Sequence, residues 1–267
     1  MNKIITMTAC RRPEYTQKVL ESLARCTGSS EYKLVPFCDG PHQQVIDVFK
    51  GVDFCEVEVN VNKKRLGHTQ NTHKALSRGF ELSDYVILLE DDTVLSKDFL
   101  EFHEHCRENF KDDESVYTVS AGHYNNIDKK YSEEERSLYK RNQWFSNQGW
   151  GTWIDRWEEE GGIKHNWEAP ETVGYGVYIT NYKYGGWDGL INKHARKGRD
   201  EILSVVSRVK NIGAREGVHF GYPPNYRSFE EYHKDQIEVQ DWCGLYDLKG
   251  LTYEEQITSS FSEFVIQ

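Results

Sequence analysis

The run Tyr85-Val86-Ile87-Leu88-Leu89, followed at once by Glu90-Asp91-Asp92, constrains this chain more than any other segment. An apolar, β-branched run without polar alternation reads as a strand buried on both faces, as inside a parallel α/β sheet. Three carboxylates at its C-terminal end emerge where open α/β sheets bind ligands. Like charges this close repel one another. Hard cations such as Mg2+ or Mn2+ prefer carboxylate oxygen and bridge to substrate phosphates. The pattern points to a metal–diphosphate site. Its alternative is a solvated acidic loop, and the triplet alone does not separate the two.

The surrounding segments supply the sheet. Ile4 to Thr8 is β-rich, and Pro13 opens a helix whose Val19, Leu20, Leu23 and Ala24 recur at helical spacing. Lys33 to Phe37 is a second strand, closed by the turn Cys38-Asp39-Gly40-Pro41. Helices follow at Gln43 to Lys50, Thr69 to Phe80 and Lys97 to Phe110, with an edge strand over Cys55 to Asn60 and a further strand at Val116 to Ala121. This rhythm predicts an α/β fold, a mostly parallel central sheet flanked by helices. Residues 122 to 190 are rich in Gly, Tyr, Trp and Asn, as in a loop-rich substrate-binding half. Glu201 to Val209 fits strand or helix equally. The expected organisation is one domain over 1–267, with a nucleotide-binding half at 1–121, an acceptor half at 122–231 and a tail at 232–267.

Composition excludes several classes. A net charge of −10 opposes broad nucleic-acid binding, which needs a positive field. Sixteen Tyr, twelve Phe and seven Trp argue against disorder and suit stacking on sugars as well as core packing. The six cysteines are scattered without a CxxC pair, which reads as reduced thiols in a cytoplasmic protein rather than a zinc site or disulfide scaffold. No stretch approaches the roughly 20 apolar residues of a membrane span, nor does the N-terminus resemble a signal peptide.

Further motifs carry chemistry. Arg11 and Arg12 follow the first strand, where a helix N-terminus also favours anions. Asp39 ends the second strand and could accept the N3–H of uracil, or serve as a turn residue. Gly149-Trp150-Gly151-Thr152-Trp153 reads as an aromatic glycine turn, open to backbone approach and stacking or simply structural. Asp188 sits in Gly185-Gly186-Trp187-Asp188-Gly189, a flexible aromatic setting. Downstream, the segment from Ser207 to Gly213 leads to Gly217-Val218-His219.

In this order the pieces resemble GT-A glycosyltransferases, in particular the N-acetylglucosaminyltransferase I type and bacterial enzymes with family-2-like domains. The resemblance spans residues 3 to about 221. It implies a GT-A (Rossmann-like) fold and a nucleotide-diphosphate sugar donor, a UDP-sugar first. Asp92 would hold Mn2+ or Mg2+, with His219 completing the metal–phosphate site. Glu90 and Asp91 would lie near donor sugar and ribose, and Asp39 at the uracil. Arg11, Arg12, Arg65, Trp150, Gly151 and Arg208 would join the nucleotide-sugar site. Asp188 would be the general base of an inverting hexosyl- or N-acetylhexosaminyl-transferase. The chain departs from the N-acetylglucosaminyltransferase I pattern in having WDG without a second carboxylate.

Inversion needs one base opposite the leaving group and no enzyme nucleophile, which suits a single Asp188. A nucleotidyltransferase also uses paired acids on metal, but normally shows a glycine-rich phosphate loop, and Thr8 to Tyr15 contains no glycine. An inactive sugar-nucleotide-binding module is the third reading. For the acceptor, Lys193, Arg196, Lys197, Arg199, Arg208, Lys210 and Arg215 against Asp200 and Glu201 make a local basic excess. It reads as a solvated face, a diphosphate contact or a site for an anionic acceptor. A cell-surface saccharide is the preferred acceptor, with a modified DNA base as the minority alternative.

Overall fold

The computed structural model describes residues 2–123, 132, 135, 137–167, 187–213 and 262–263. The first half alternates as β1 (Lys3–Ala9), α1 (Pro13–Ala24), β2 (Tyr32–Cys38), α2 (Gln43–Lys50), β3 (Glu56–Val57), β4 (Asn60–Val61), α3 (His68–Phe80) and β5 (Tyr85–Glu90). Then come β6 (Thr93–Leu95), α4 (Phe99–Phe110), β7 (Val116–Gly122), β8 (Leu138–Asn142), β9 (Gln148–Trp153) and the short α5 (Ile154–Glu158). A helical turn, α6 (Trp187–Leu190), precedes β10 (Asp200–Ser204), β11 (Val209–Asn211) and β12 (Ser262–Glu263).

The main sheet runs β12-β8-β10-β7-β9-β5-β1-β2-β3, with β4 also on β2. Strand β1 is parallel to both β2 and β5, Ile5 facing Leu34 on one side and Ile87 on the other. Strand β9 is antiparallel to β5 and β7, so those two share a direction, and β10 runs parallel to β7. The expected mostly parallel α/β sheet is thus present, with β9 inserted antiparallel and β8 and β12 running against the main strand direction at one edge.

Both faces of the sheet are dry, which explains the uninterrupted apolar runs. Successive strand residues point to opposite faces. Ile5, Ile87 and Leu89 pack against Val19, Leu23, Phe49, Phe102 and Cys106 of α1, α2 and α4. Ile4, Val86 and Leu88 pack against Leu76 and Phe80 of α3 together with Trp150, Trp157 and Trp187.

Two segments differ from expectation, and one left open is resolved. The single edge strand over Cys55 to Asn60 is instead β3 and β4, two short pieces that each pair with β2. The open segment Glu201 to Val209 is strand at both ends: all but the first residue of β10, a bend, and the start of β11. Gly149 to Trp153 is a strand rather than a turn, because Trp150 and Trp153 enter opposite cores and Gly151 pairs with Ile87 and Val119. A Cβ on Gly151 would lie 2.6 Å from the Tyr85 hydroxyl, so a packed side chain, not a ligand, occupies that space.

Glu201 is a buried acid in β10. It accepts hydrogen bonds from Ser120 Oγ (2.7 Å), Thr118 Oγ1 (3.1 Å) and Ser146 N (2.9 Å). Burial pushes its carboxyl up to about 8, although these donors pull it down. The folded state therefore takes up a proton between 4.5 and about 8, and this group's contribution to stability falls as pH rises through that window. Glu201→Gln stays neutral and can keep the network, because hydroxyl protons rotate. Thermal unfolding near pH 5 and near pH 9 tests this. The variant is expected to gain on wild type at the higher pH; a pH-independent difference would contradict a protonated acid.

Candidate active site

The site forms at the C-terminal edge of the parallel strands. Thr8 lies opposite Glu90 and Ala9 opposite Cys38, so Arg11 and Arg12, Asp39, and Glu90 to Asp92 leave neighbouring strands side by side. Chain connectivity alone brings these residues to one edge.

Asp91 and Asp92 are only 6% and 8% exposed. Arg12 reaches both: its guanidinium pairs closely with Asp91, and Nη2 donates to Asp92 Oδ2 at 2.9 Å. Arg12 Nη1 is buried with no hydrogen-bond partner. One guanidinium does not balance the row. Burial, then the charge of Glu90, push the Asp92 carboxyl up to about 7, with Asp91 adding and Arg12 opposing. Burial likewise raises Asp91, against the pull of Arg12.

A second segment closes over Asp92. Strands β6 and β11 form an antiparallel ribbon in which Thr93 faces Asn211. Ile212 N donates to the Asp92 carbonyl (2.8 Å), and Asn211 Nδ2 approaches Asp92 Oδ1 (3.4 Å). A Cβ on Gly213 would fall 2.0 Å from Asp92 Oδ2, so only glycine lets the chain pass this close. His219, six positions further on, lies outside the described residues.

Asp39 is 4% exposed and already occupied. Oδ1 accepts from Leu66 N (2.7 Å) and Oδ2 from Gly67 N (2.9 Å), with Arg65 Nε 3.9 Å away. It anchors the loop that starts α3 from a distant strand end, a long-range tie rather than a local turn. Asn62 extends this anchor, donating to Asn71 Oδ1 and accepting from Lys74 Nζ, each at 2.7 Å.

The other side of the site is built by α6. Trp187 Nε1 donates to His68 Nδ1 (3.2 Å), and His68 Nε2 lies 2.6 Å from Glu90 Oε1. Trp187 stacks between Trp150 (5.6 Å between centroids, 21° between planes) and Trp167 (6.1 Å, 9°). Asp188 follows in the first turn, its Oδ1 accepting from Gly189 N (2.8 Å). The His68 ring is 38% exposed, and its packing against neighbours opposes protonation. The Glu90 hydrogen bond and the charges of Glu90, Asp188 and Asp92 outweigh this, so its pKa is raised. Asp188 and the acidic row therefore act on one imidazole.

Other expected members stand elsewhere. Trp150 is fully buried beneath Trp187, its indole N–H without a partner, so it supports the site from below. Gly151 is a packing glycine of β9, as described above. Arg208 is 2% exposed, pairs with Asp98 Oδ2 at 2.9 Å and lies over the Phe102 ring. Arg11 is exposed at the α1 entrance. Part of the basic excess is paired within the fold. Arg199 pairs with Glu159 and stacks on Tyr117, Lys197 lies 3.7 Å from Glu159, and Arg196 donates to the carbonyls of Asn192 and Arg199. Arg215 lies outside the described residues. Sequence reasoning passed over His68 and Trp167; the signal available for His68 was its position straight after Gly67, at the start of a helix facing the acidic row.

Among the described residues, no three His, Cys, Asp or Glu side chains form a preassembled metal cage. The residues nevertheless fit a hard divalent cation. Asp92 offers buried carboxylate oxygen whose charge Arg12 does not balance, and Mg2+-type ions usually take one or two carboxylates plus substrate phosphates.

No family model matches the chain. Among solved structures, a fragment of S. aureus TarS covering its residues 1–349 matches at TM-score 0.53 and 11% identity, over 96% of this chain and 68% of that one. The same fragment in complex with UDP-GlcNAc matches at TM-score 0.51 and 10% identity, over 96% and 69%. A longer TarS structure matches at TM-score 0.51 and 12% identity, over 78% of this chain and 36% of its own. This likeness is one of fold: a central multi-stranded α/β sheet flanked by helices. No helix among the described residues is long and apolar enough to cross a membrane.

Asp39→Ala removes the acceptor of two backbone N–H groups, a change that costs about 1–3 kcal/mol per stranded donor. The loop at 62–67 should loosen while the sheet persists. Limited trypsin digestion is expected to cut faster at Lys63, Lys64 or Arg65 in the variant; an unchanged cleavage rate would contradict the anchoring role.

Proposed function

We propose that this chain is a metal-dependent inverting glycosyltransferase, moving a hexosyl or N-acetylhexosaminyl unit from a nucleotide-diphosphate sugar, a UDP-sugar first, to a saccharide hydroxyl. The observation that carries this reading is the convergence on His68 of Glu90, from the acidic row, and the turn bearing Asp188. It joins an anion-neutralising site to a carboxylate base on one GT-A-like scaffold.

The roles follow from position. Asp92 would hold Mg2+ or Mn2+, with His219 proposed as a second ligand; when bound, the ion neutralises the diphosphate leaving group as a Lewis acid. Arg12, paired with Asp91 and Asp92, adds positive charge beside the same diphosphate. Asp188 accepts the acceptor hydroxyl proton as the sugar–phosphate bond breaks on the opposite face. Glu90 and Asp91 shape the donor side, and Asp39 with Arg65 the base-binding side. Residues 1–121 would serve chiefly the donor and 122–231 the acceptor, with 232–267 as a tail, in a protein placed in the cytoplasm. The pairing of Arg196, Arg199 and Arg208 within the fold favours a saccharide acceptor over duplex DNA, whose binding relies on free cationic side chains.

Two measurements test the proposal. With a panel of UDP-sugars, release of UDP should require Mn2+ or Mg2+, and Asp92→Asn should abolish the metal-dependent part of UDP affinity in calorimetry. Equal UDP affinity with and without metal would remove Asp92 from the metal role. Pyrophosphate release from a nucleoside triphosphate would indicate a nucleotidyltransferase instead.

Asp188→Asn separates chemistry from binding. Donor affinity should hold while turnover drops by about 10²-fold or more, as when a positioned general base is lost. NMR of the product should show an inverted anomeric centre; a retained configuration would sink the base assignment.

A further inference from the structure

We infer that His68 is a positioning residue that locks the donor-side carboxylate Glu90 and the turn carrying Asp188 into one arrangement, an inference resting on Asp188 being the base of the proposed transfer. An indole N–H can only donate, so the 3.2 Å contact from Trp187 Nε1 requires a lone pair on His68 Nδ1. In the neutral ring the imidazole proton then sits on Nε2 and points at Glu90 Oε1, 2.6 Å away. The two contacts thus fix one tautomer of the neutral ring, and each ring nitrogen serves a different half of the site.

The partners are themselves held. Trp187 lies between Trp150 and Trp167, so its N–H cannot swing away without breaking the stack. Trp167 Nε1 donates to the Thr69 carbonyl (3.0 Å), next to His68, giving the aromatic stack a second tie to the start of α3. Asp188 follows Trp187 directly and shares its helical turn. Displacing the Trp187 N–H therefore displaces the Asp188 carboxylate relative to Glu90. A ring needed only for packing would not need both nitrogens.

Two amide substitutions divide the functions. The Asn Oδ1 takes the place of Nδ1 and accepts from Trp187, while the Gln amide takes the place of Nε2 and donates to Glu90. His68→Gln should lower kcat by about tenfold or more with donor KM within about twofold, and His68→Asn should raise donor KM with kcat within about twofold. Trp187→Phe should lose kcat like His68→Gln, and the double variant should lose no more than either single one. A readout independent of activity is the Trp187 indole proton resonance, identified by its disappearance in Trp187→Phe. It should lose its hydrogen-bonded downfield shift in His68→Gln and keep it in His68→Asn. An unmoved resonance in His68→Gln, or equal kinetic effects of the two amides, would overturn the inference. Undiminished turnover in Asp188→Asn, with the resonance shifting as expected, would overturn the base assignment and leave the bridge standing.

Discussion

Everything in this site depends on holding Glu90, Asp91 and Asp92 together at the end of a buried strand. Strand β5 has parallel β1 on one side and antiparallel β9 on the other, so the three residues leave it inside the protein's own rim. Burial raises Asp91 and brings Asp92 up to about 7, a direct expression of negative charge crowded in a partly dry place. Arg12, delivered by the neighbouring strand, relieves part of that strain through both aspartates. The residual charge imbalance is what makes the cluster a candidate for a cation and a diphosphate. Truncating one partner of such a buried pair strands the other, which costs more than an exposed ion pair ever contributes.

The rest of the architecture positions groups against that row. The β6–β11 ribbon carries the chain past Asp92 so tightly that position 213 must be glycine. Asp39 fixes the loop from which α3 starts, and the start of α3 presents His68 to Glu90. The tryptophan stack carries the arrangement across to Asp188. Secondary-structure ends, buried polar anchors and aromatic packing thus act in series, and an error in any of them moves the carboxylates relative to one another.

How much of this was legible in the sequence depended on the kind of signal. Strand β5 and helices α1 to α4 were readable because apolar periodicity reports burial directly, and the acidic row followed from its place after a strand. The segment Gly149 to Trp153 was misread because glycine suggests a turn, whereas Gly151 is small to admit the Tyr85 hydroxyl across a strand pair. The burial of Arg208 was invisible for a related reason: a charged residue in a motif looks available until its partner Asp98, distant in sequence, is known. His68 was missed because its meaning comes from Glu90 and Trp187, separated by 22 and 119 positions respectively. Tertiary partners of polar groups leave no local periodicity to read.

The central claim is that Asp92 anchors a cation for a nucleotide diphosphate. Crystals grown with UDP and Mn2+, examined by anomalous scattering at the manganese edge, address it most directly. The account predicts a manganese peak within coordination distance of the Asp92 carboxylate and bridging to the diphosphate oxygens. UDP bound at the strand ends with manganese absent from Asp92, or UDP bound elsewhere on the protein, would contradict it.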